Sequence, residues 1–473
     1  MSIKNLEPNG LWKNFYELTQ IPRPSKKEEK VVAFLKQFGE NLGLETIVDK
    51  VGNVIIRKPA TPGYEDRMGV VLQAHVDMVP QKNSDKVHDF EKDPIETRIE
   101  DGWVKANGTT LGADNGVGAA AAMAVLEATD LVHGPIEGLF TVDEETGMTG
   151  ANALEPGVLK GDILINMDSE TEGELYVGCA GGIDTCGYFT PKFEDVPAGS
   201  KAFQLIVKGL KGGHSGMDII LGRANANKVM NALLLKATEK FNARVADIQG
   251  GSLRNAIPRE SFVTITVPEA KAEELLAYVP EFEAVVKEQF AAVEPEMSIT
   301  VVPAEMPAKV IDKQTIANLI EAVAKYPNGV IAMSKDFEGT VETSSNLAIV
   351  KLVDGQIMTA SLQRSLVDAS KDELAAEMRK LLESCGARAE STGSYPGWKP
   401  NINSIIYNTM KKVYADKYGK TPKTMVIHAG LECGILGSKY PTIRSLLHRR
   451  QRWTRILRDT EPFRMKTSRS TIN

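Results

Sequence analysis

Apolar and polar positions along this chain follow two rhythms, and each change of rhythm marks an element. Residues 11–20 carry apolar side chains at helical spacing and stop at Ile21-Pro22-Arg23-Pro24. Val31, Val32, Phe34, Leu35 and Phe38 share one face of a second helix. Ser25 reads as its N-cap, with Glu28 three residues on as the capping-box partner. Residues 44–48 and 52–57 read as a strand pair. Val70, Val71 and Leu72 then form a short β-branched run of the kind buried on both faces of a sheet. That run ends abruptly in polar chemistry at His75 and Asp77, whose spacing of two puts both side chains on one side of an extended backbone.

The same punctuation recurs downstream. Leu111-Gly112-Ala113-Asp114-Asn115-Gly116-Val117-Gly118 leads into an alanine-rich helix, so Asp114 sits at a helix entrance behind a turn of glycines. The strand 136–142 runs into Asp143-Glu144-Glu145-Thr146-Gly147, and the strand 163–167 into Asp168-Ser169-Glu170. Strands alternating with helices predict a layered α/β domain. From about Gly187 the style changes to half-exposed strands and one-sided helices, an α+β segment, and α/β patterning resumes after Gly386. The expected organisation is therefore one domain made of 1–186 and 386–473, with 187–385 inserted into it.

Composition narrows the function. The 473 residues are 42% hydrophobic and 25% charged, as in ordinary globular proteins, and no apolar run is long enough to cross a bilayer. The first residues lack a signal-like apolar core, and four cysteines show neither C-x-x-C pairs nor a disulfide framework, so a cytoplasmic setting is expected. A net charge of −6 argues against a general nucleic-acid binder. From Arg444 onward, however, nine basic residues face two acidic ones, a basic end on an acidic body.

Taken singly, His75, Asp114, Glu144, Glu145 and Asp168 have plain readings as a surface histidine, a helix cap, a solvated acidic pair and a turn residue. Together they place imidazole and hard oxygen donors at four element junctions of one domain, where open α/β sheets build their sites. Clustered acids without a cation repel one another. One histidine with several carboxylates suits Zn²⁺, Co²⁺ or Mn²⁺, and a carboxylate such as Asp114 could bridge two metals about 3.5–4 Å apart. Neighbouring glutamates point in different directions along a turn. Glu145 can then face metal while Glu144 faces water as general base for amide hydrolysis.

Read in order, Ala74-His75-Val76-Asp77, Gly112-Ala113-Asp114-Asn115-Gly116, Asp143-Glu144-Glu145-Thr146-Gly147 and Asn166-Met167-Asp168-Ser169-Glu170 resemble the motifs of M20 metallopeptidases. Gly178-Cys179-Ala180-Gly181-Gly182, Gly212-Gly213-His214-Ser215-Gly216, Arg254-Asn255-Ala256-Ile257-Pro258, Thr343-Ser344-Ser345-Asn346-Leu347 and His428-Ala429-Gly430-Leu431-Glu432-Cys433-Gly434 resemble its aminoacyl-histidine dipeptidase branch. The resemblance covers roughly residues 5–440. It implies a layered catalytic domain of the zinc-peptidase type with an inserted lid. It also implies two divalent metals, most simply Zn²⁺, held by His75, Asp114, Glu145 and Asp168, with a cis bond between Asp114 and Asn115. Asp77 would orient His75, Glu144 would be the general base, and His214, Asn255 and Arg364 would contact substrate. The implied reaction is hydrolysis of unblocked dipeptides, X-His among them, with the lid working within one chain or across a homodimer. An aminotripeptidase, an N-acyl deacylase and a weakly active metal-binding relative are the alternatives.

The resemblance breaks near the end. Where the family runs into an apolar strand and a last metal-binding histidine, Lys439-Tyr440-Pro441 passes into an arginine-rich stretch. The strand is expected to be missing, residues 440–473 to be atypical, and His448 is the one histidine nearby. On this reading the chain is less active than its relatives.

Overall fold

The computed structural model describes residues 2–169, 171–449 and 464–465, with the backbone alone at 444–449 and 464–465. Two compact units emerge. The first comprises 1–178, 400–426 and 431–473, and the second 179–399 with 427–430. The second unit is wider than the expected 187–385. Gly181–Phe189 and Arg388–Tyr395 pair with each other, and Gly181–Phe189 also pairs with Gln356–Ser365, so both flanking strands belong to its sheet.

The first unit is built on an eight-stranded sheet in the order Glu45–Val48, Val54–Lys58, Ile136–Thr141, Val70–His75, Ile163–Ser169, Arg444–Arg449, Glu174–Cys179, Lys423–Ile427. Ile136–Thr141, Val70–His75, Ile163–Ser169 and Arg444–Arg449 run parallel. Ile136–Thr141, Val70–His75 and Ile163–Ser169 are rich in apolar side chains, as strands covered on both faces are. Val71, Leu139, Phe140 and Leu164 are fully buried, and the alanine-rich helix Ala113–Glu127 supplies Ala119, Ala120, Ala122 and Met123 to the same core. Small alanine side chains let that helix lie close to the sheet. Parallel order brings the carboxyl ends of neighbouring strands to one edge, which places His75, Thr141 and Asp168 at the same end of the sheet.

Two expectations are corrected here. The strand thought missing after Pro441 is present: Arg444–Arg449 pairs with Ile163–Ser169 in parallel and with Glu174–Cys179 in antiparallel. Its backbone supplies the pairing, so the arginine-rich composition hid it. His448 lies on this strand with its side chain outside the described residues, as are Glu170, most of the basic run and most of 440–473 beyond the strand. Ser25 does not cap the second helix. That helix is Glu29–Asn41 with Glu28 as its N-cap residue, and the Ser25 hydroxyl donates instead to Asp77 Oδ2 at 2.8 Å.

The second unit carries a nine-stranded sheet whose main path includes Ser298–Pro303, Ser200–Lys208, Ser261–Pro268, Arg244–Gly250, Val341–Val353 and Gln356–Ser365. The helices Ala226–Phe241, Glu269–Phe290, Lys313–Lys325 and Asp368–Ser384 contribute buried residues to the core on this sheet. Among the described residues, no helix is long and apolar enough to cross a membrane.

Candidate metal centre and substrate groups

The His75 strand delivers its ligand into a fully buried position. His75 Nδ1 lies 3.2 Å from Asp77 Oδ1, while Nε2 lies 3.2 Å from Asp114 Oδ1 and 3.5 Å from Asp168 Oδ1. One donor atom each from His75, Asp114 and Asp168 falls within 4.8 Å of the others. The Glu145 carboxylate is not in that group of described residues. Its backbone N–H donates to Asp77 Oδ2 at 3.2 Å, and that of Glu144 to Asp77 Oδ1 at 3.0 Å. Asp77 therefore ties the His75 strand end to the start of the Glu144–Glu145 turn.

Asp114 is aimed by an irregular helix entrance. Asp114 and Asn115 depart from helical dihedrals inside Ala113–Glu127, and the peptide between them is cis. Gly112 adopts a positive φ of 66°, and a Cβ there would meet Arg23 Nη2 at 2.5 Å. A Cβ on Gly118 would meet Asn115 Oδ1 at 2.0 Å. The glycines thus make room for a buried guanidinium on one side and for Asn115 on the other.

Charge in this pocket is strongly coupled. Burial opposes charge on His75, but Asp168, Asp114 and Asp77 outweigh it and raise the imidazole well above its ordinary range. Burial, then the neighbouring Asp114, pushes the Asp168 carboxyl up to about 8. Burial also raises Glu144 well above the usual carboxylate range, with Asp168, Glu432 and Glu145 adding to the effect against His75. Asp77 goes the other way. Against its burial, the bond to His75, the Glu144 N–H and the Ser25 hydroxyl hold it down at about 2. Carboxylates crowded around one buried imidazole favour holding protons or a cation. Asp168 Oδ1 is buried without a hydrogen bond among the described residues, an acceptor that suits a cation. The donor set fits a divalent metal.

The three expected substrate residues lie in the second unit and are close to one another. His214 lies on the short strand Gly213–His214, paired with Ala256–Ile257 directly after Asn255. His214 Nδ1 accepts from the N–H groups of Gly216 and Met217 at 3.2 and 3.1 Å, which leaves its proton on Nε2. Asn255 is exposed, and its carbonyl accepts from the Ser215 N–H. Arg364 is buried and donates to Tyr395 Oη at 2.7 Å and to Ser215 Oγ at 3.3 Å.

Sequence reasoning missed several supporting residues. Arg23, 1% exposed, donates to the carbonyls of Val76, Asp77 and Gly112 at 2.8, 3.1 and 2.6 Å, and so joins the His75 loop to the Asp114 loop. His428 and Ser344 form a buried pair, Nε2 to Oγ, at 2.7 Å. Their motifs stood out in the sequence, but only the fold pairs them.

The model of peptidase family M20/M25/M40 matches residues 71–451. The cytosol non-specific dipeptidase of Escherichia coli (strain K12) is 44% identical over 439 residues, covering 93% of this chain and 90% of that protein. The crystal structure of aminoacylhistidine dipeptidase from Vibrio alginolyticus superposes with a TM-score of 0.83 at 44% identity, covering 95% of this chain and 92% of that one. A tripeptidase from Staphylococcus aureus shares the fold alone, with a TM-score of 0.51 at 17% identity over 93% of this chain and 90% of its own.

Proposed function

The chain belongs to peptidase family M20/M25/M40, and from that premise we propose that it is a dinuclear metallodipeptidase with Glu144 as its general base. The observation that carries this reading is the convergence of His75, Asp114 and Asp168, with Asp77 behind them. Glu145 would complete the set for two divalent cations. Zn²⁺ suits a histidine with carboxylates, and Co²⁺ or Mn²⁺ are the alternatives.

When bound, such ions supply Lewis acidity toward the scissile carbonyl and the attacking water. The residues do the rest. Glu144 takes a proton from water as the new C–O bond forms, then returns it to the amine nitrogen as the C–N bond breaks. Burial favours its protonated form, which suits the second half of that cycle. Asp77 fixes the His75 ring so that Nε2 points toward Asp114 and Asp168, where it would help to hold a metal. His214, with its proton on Nε2, is a donor for the developing oxyanion. Arg364, buried with the neutral oxygens of Ser215 and Tyr395, would receive the substrate carboxylate, and Asn255 would hold the peptide.

The proposed substrates are unblocked dipeptides, X-His among them, in the cytosol. The names of the 44% identical relatives support both statements. The test is a substrate panel with the metal-loaded chain. Unblocked dipeptides should turn over, and N-acetyl dipeptides and tripeptides should lag well behind. Equal rates on N-acetyl dipeptides would overturn the assignment in favour of a deacylase, and faster tripeptide cleavage in favour of an aminotripeptidase.

A further inference from the structure

Beneath the proposed ligands lies a second buried carboxylate that the mechanism above does not use. Glu432 opens the helix Glu432–Lys439, and it is only 2% exposed. Its Oε2 accepts from Gln73 Nε2 at 2.6 Å and from Thr141 Oγ1 at 3.0 Å. Gln73 Oε1 in turn accepts from Asn166 Nδ2, and Asn166 Oδ1 from the Asp168 N–H at 2.9 Å. Gln73, Thr141 and Asn166 are each at most 1% exposed. They sit on three adjacent parallel strands, Val70–His75, Ile136–Thr141 and Ile163–Ser169. Gln73 and Asn166 each lie two residues before a proposed ligand, and Thr141 lies three before Glu144.

We infer that Glu432 is a positioning residue of the metal centre, one carboxylate that locks the ends of the three strands carrying His75, Glu144 and Asp168 into a single register. Glu432 Oε1 is buried without a hydrogen bond among the described residues, so the network is held through Oε2, and moving Gln73 or Thr141 away would leave further buried groups unpaired. The backbone N–H of Asp168 is the far end of this hydrogen-bonded chain, so the position of that ligand depends on a residue far along the sequence. Both donors converge on Oε2, which accepts from Gln73 and Thr141 whether the carboxyl is charged or neutral. Support from outside the ligand set is commonly worth about 10–100-fold in metal affinity.

This inference rests on the metal-centre reading, and its test separates the two. Zn²⁺ and Co²⁺ affinities of the full chain are measured by competition with a chromophoric chelator, alongside the Co²⁺ absorption spectrum, for the parent, E432A, E432Q and T141V. Failure of the parent to bind metal would sink the metal-centre reading itself. With a binding parent, E432A should lose about tenfold or more in affinity and change the Co²⁺ spectrum. E432Q, which keeps an acceptor oxygen for both donors, should stay within about threefold, and T141V should fall between them. Should E432A fail to fold by circular dichroism, E432Q and T141V carry the comparison, and a T141V protein indistinguishable from the parent overturns the inference. So does a folded E432A with parental affinity and spectrum, or an E432Q that loses as much as E432A.

Discussion

Asp77 Oδ1 stands 3.2 Å from His75 Nδ1 with both side chains fully buried, and the same carboxylate accepts the N–H groups of Glu144 and Glu145. One side chain therefore orients the imidazole and pins the turn that carries the general base. D77A should lower divalent-metal affinity by about 10–100-fold and reduce kcat as well. Isothermal titration with Zn²⁺ checks this. An unchanged affinity would mean that His75 keeps its orientation without Asp77.

Glu144 has a different role from its neighbours, so its removal should separate chemistry from binding. E144Q keeps size and hydrogen-bonding capacity but cannot take a proton. It should lower kcat by about 10²–10⁴-fold while metal content, measured by atomic emission, stays at the parental value. Loss of metal together with turnover would assign Glu144 to the ligand set instead.

The strand ends were legible in the sequence because an apolar run that stops at a histidine or carboxylate carries its own signal. His75 and Asp168 end such runs, Asp114 opens a helix behind a glycine turn, and the three meet in the fold. What supports them was not legible. Gln73 and Glu432 are hydrogen-bonded across 359 residues, and neither stands out locally from an ordinary polar residue. Arg23 entered the sequence pattern only as part of a proline-broken helix stop, yet it is buried between two loops. Ser25 followed the capping pattern, but Asp77 offered its hydroxyl a charged acceptor, so the helix begins later. The strand Arg444–Arg449 failed for a related reason. A central parallel strand is held by its neighbours' backbones, and the apolar rhythm that usually announces one is absent there.

Arg364 is a buried guanidinium that donates to two neutral oxygens, those of Ser215 and Tyr395. If it receives the substrate carboxylate, R364A should raise KM for dipeptides by about 10–100-fold, the range of one lost charge-assisted bond. R364K should recover little, because an ammonium cannot reproduce the planar fork. Steady-state kinetics on a dipeptide and on its C-terminal amide make the comparison. The amide should be a poor substrate for the parent and lose little more in R364A. An equal loss on both would show that Arg364 acts on the fold rather than on the carboxylate.

His428 ties the stability of the second unit to pH. Burial, then Arg364 beside it, holds the imidazole down at about 3, against an ordinary value of 6.5. The folded chain therefore binds fewer protons at this site than the unfolded chain between those two values. Stability from keeping His428 neutral is complete above about 6.5 and is lost progressively as pH falls toward 3. Each unit within that window costs about 1.4 kcal/mol. H428Q has no charge to gain and can still meet the Ser344 hydroxyl, which lies 2.7 Å from Nε2 in the parent. Urea unfolding of parent and H428Q at pH 7 and pH 4.5 should show the parent losing about 2–3 kcal/mol more over that interval. Parallel losses in the two proteins would place the acid sensitivity elsewhere, whereas a flatter profile in H428Q assigns it to this buried ring.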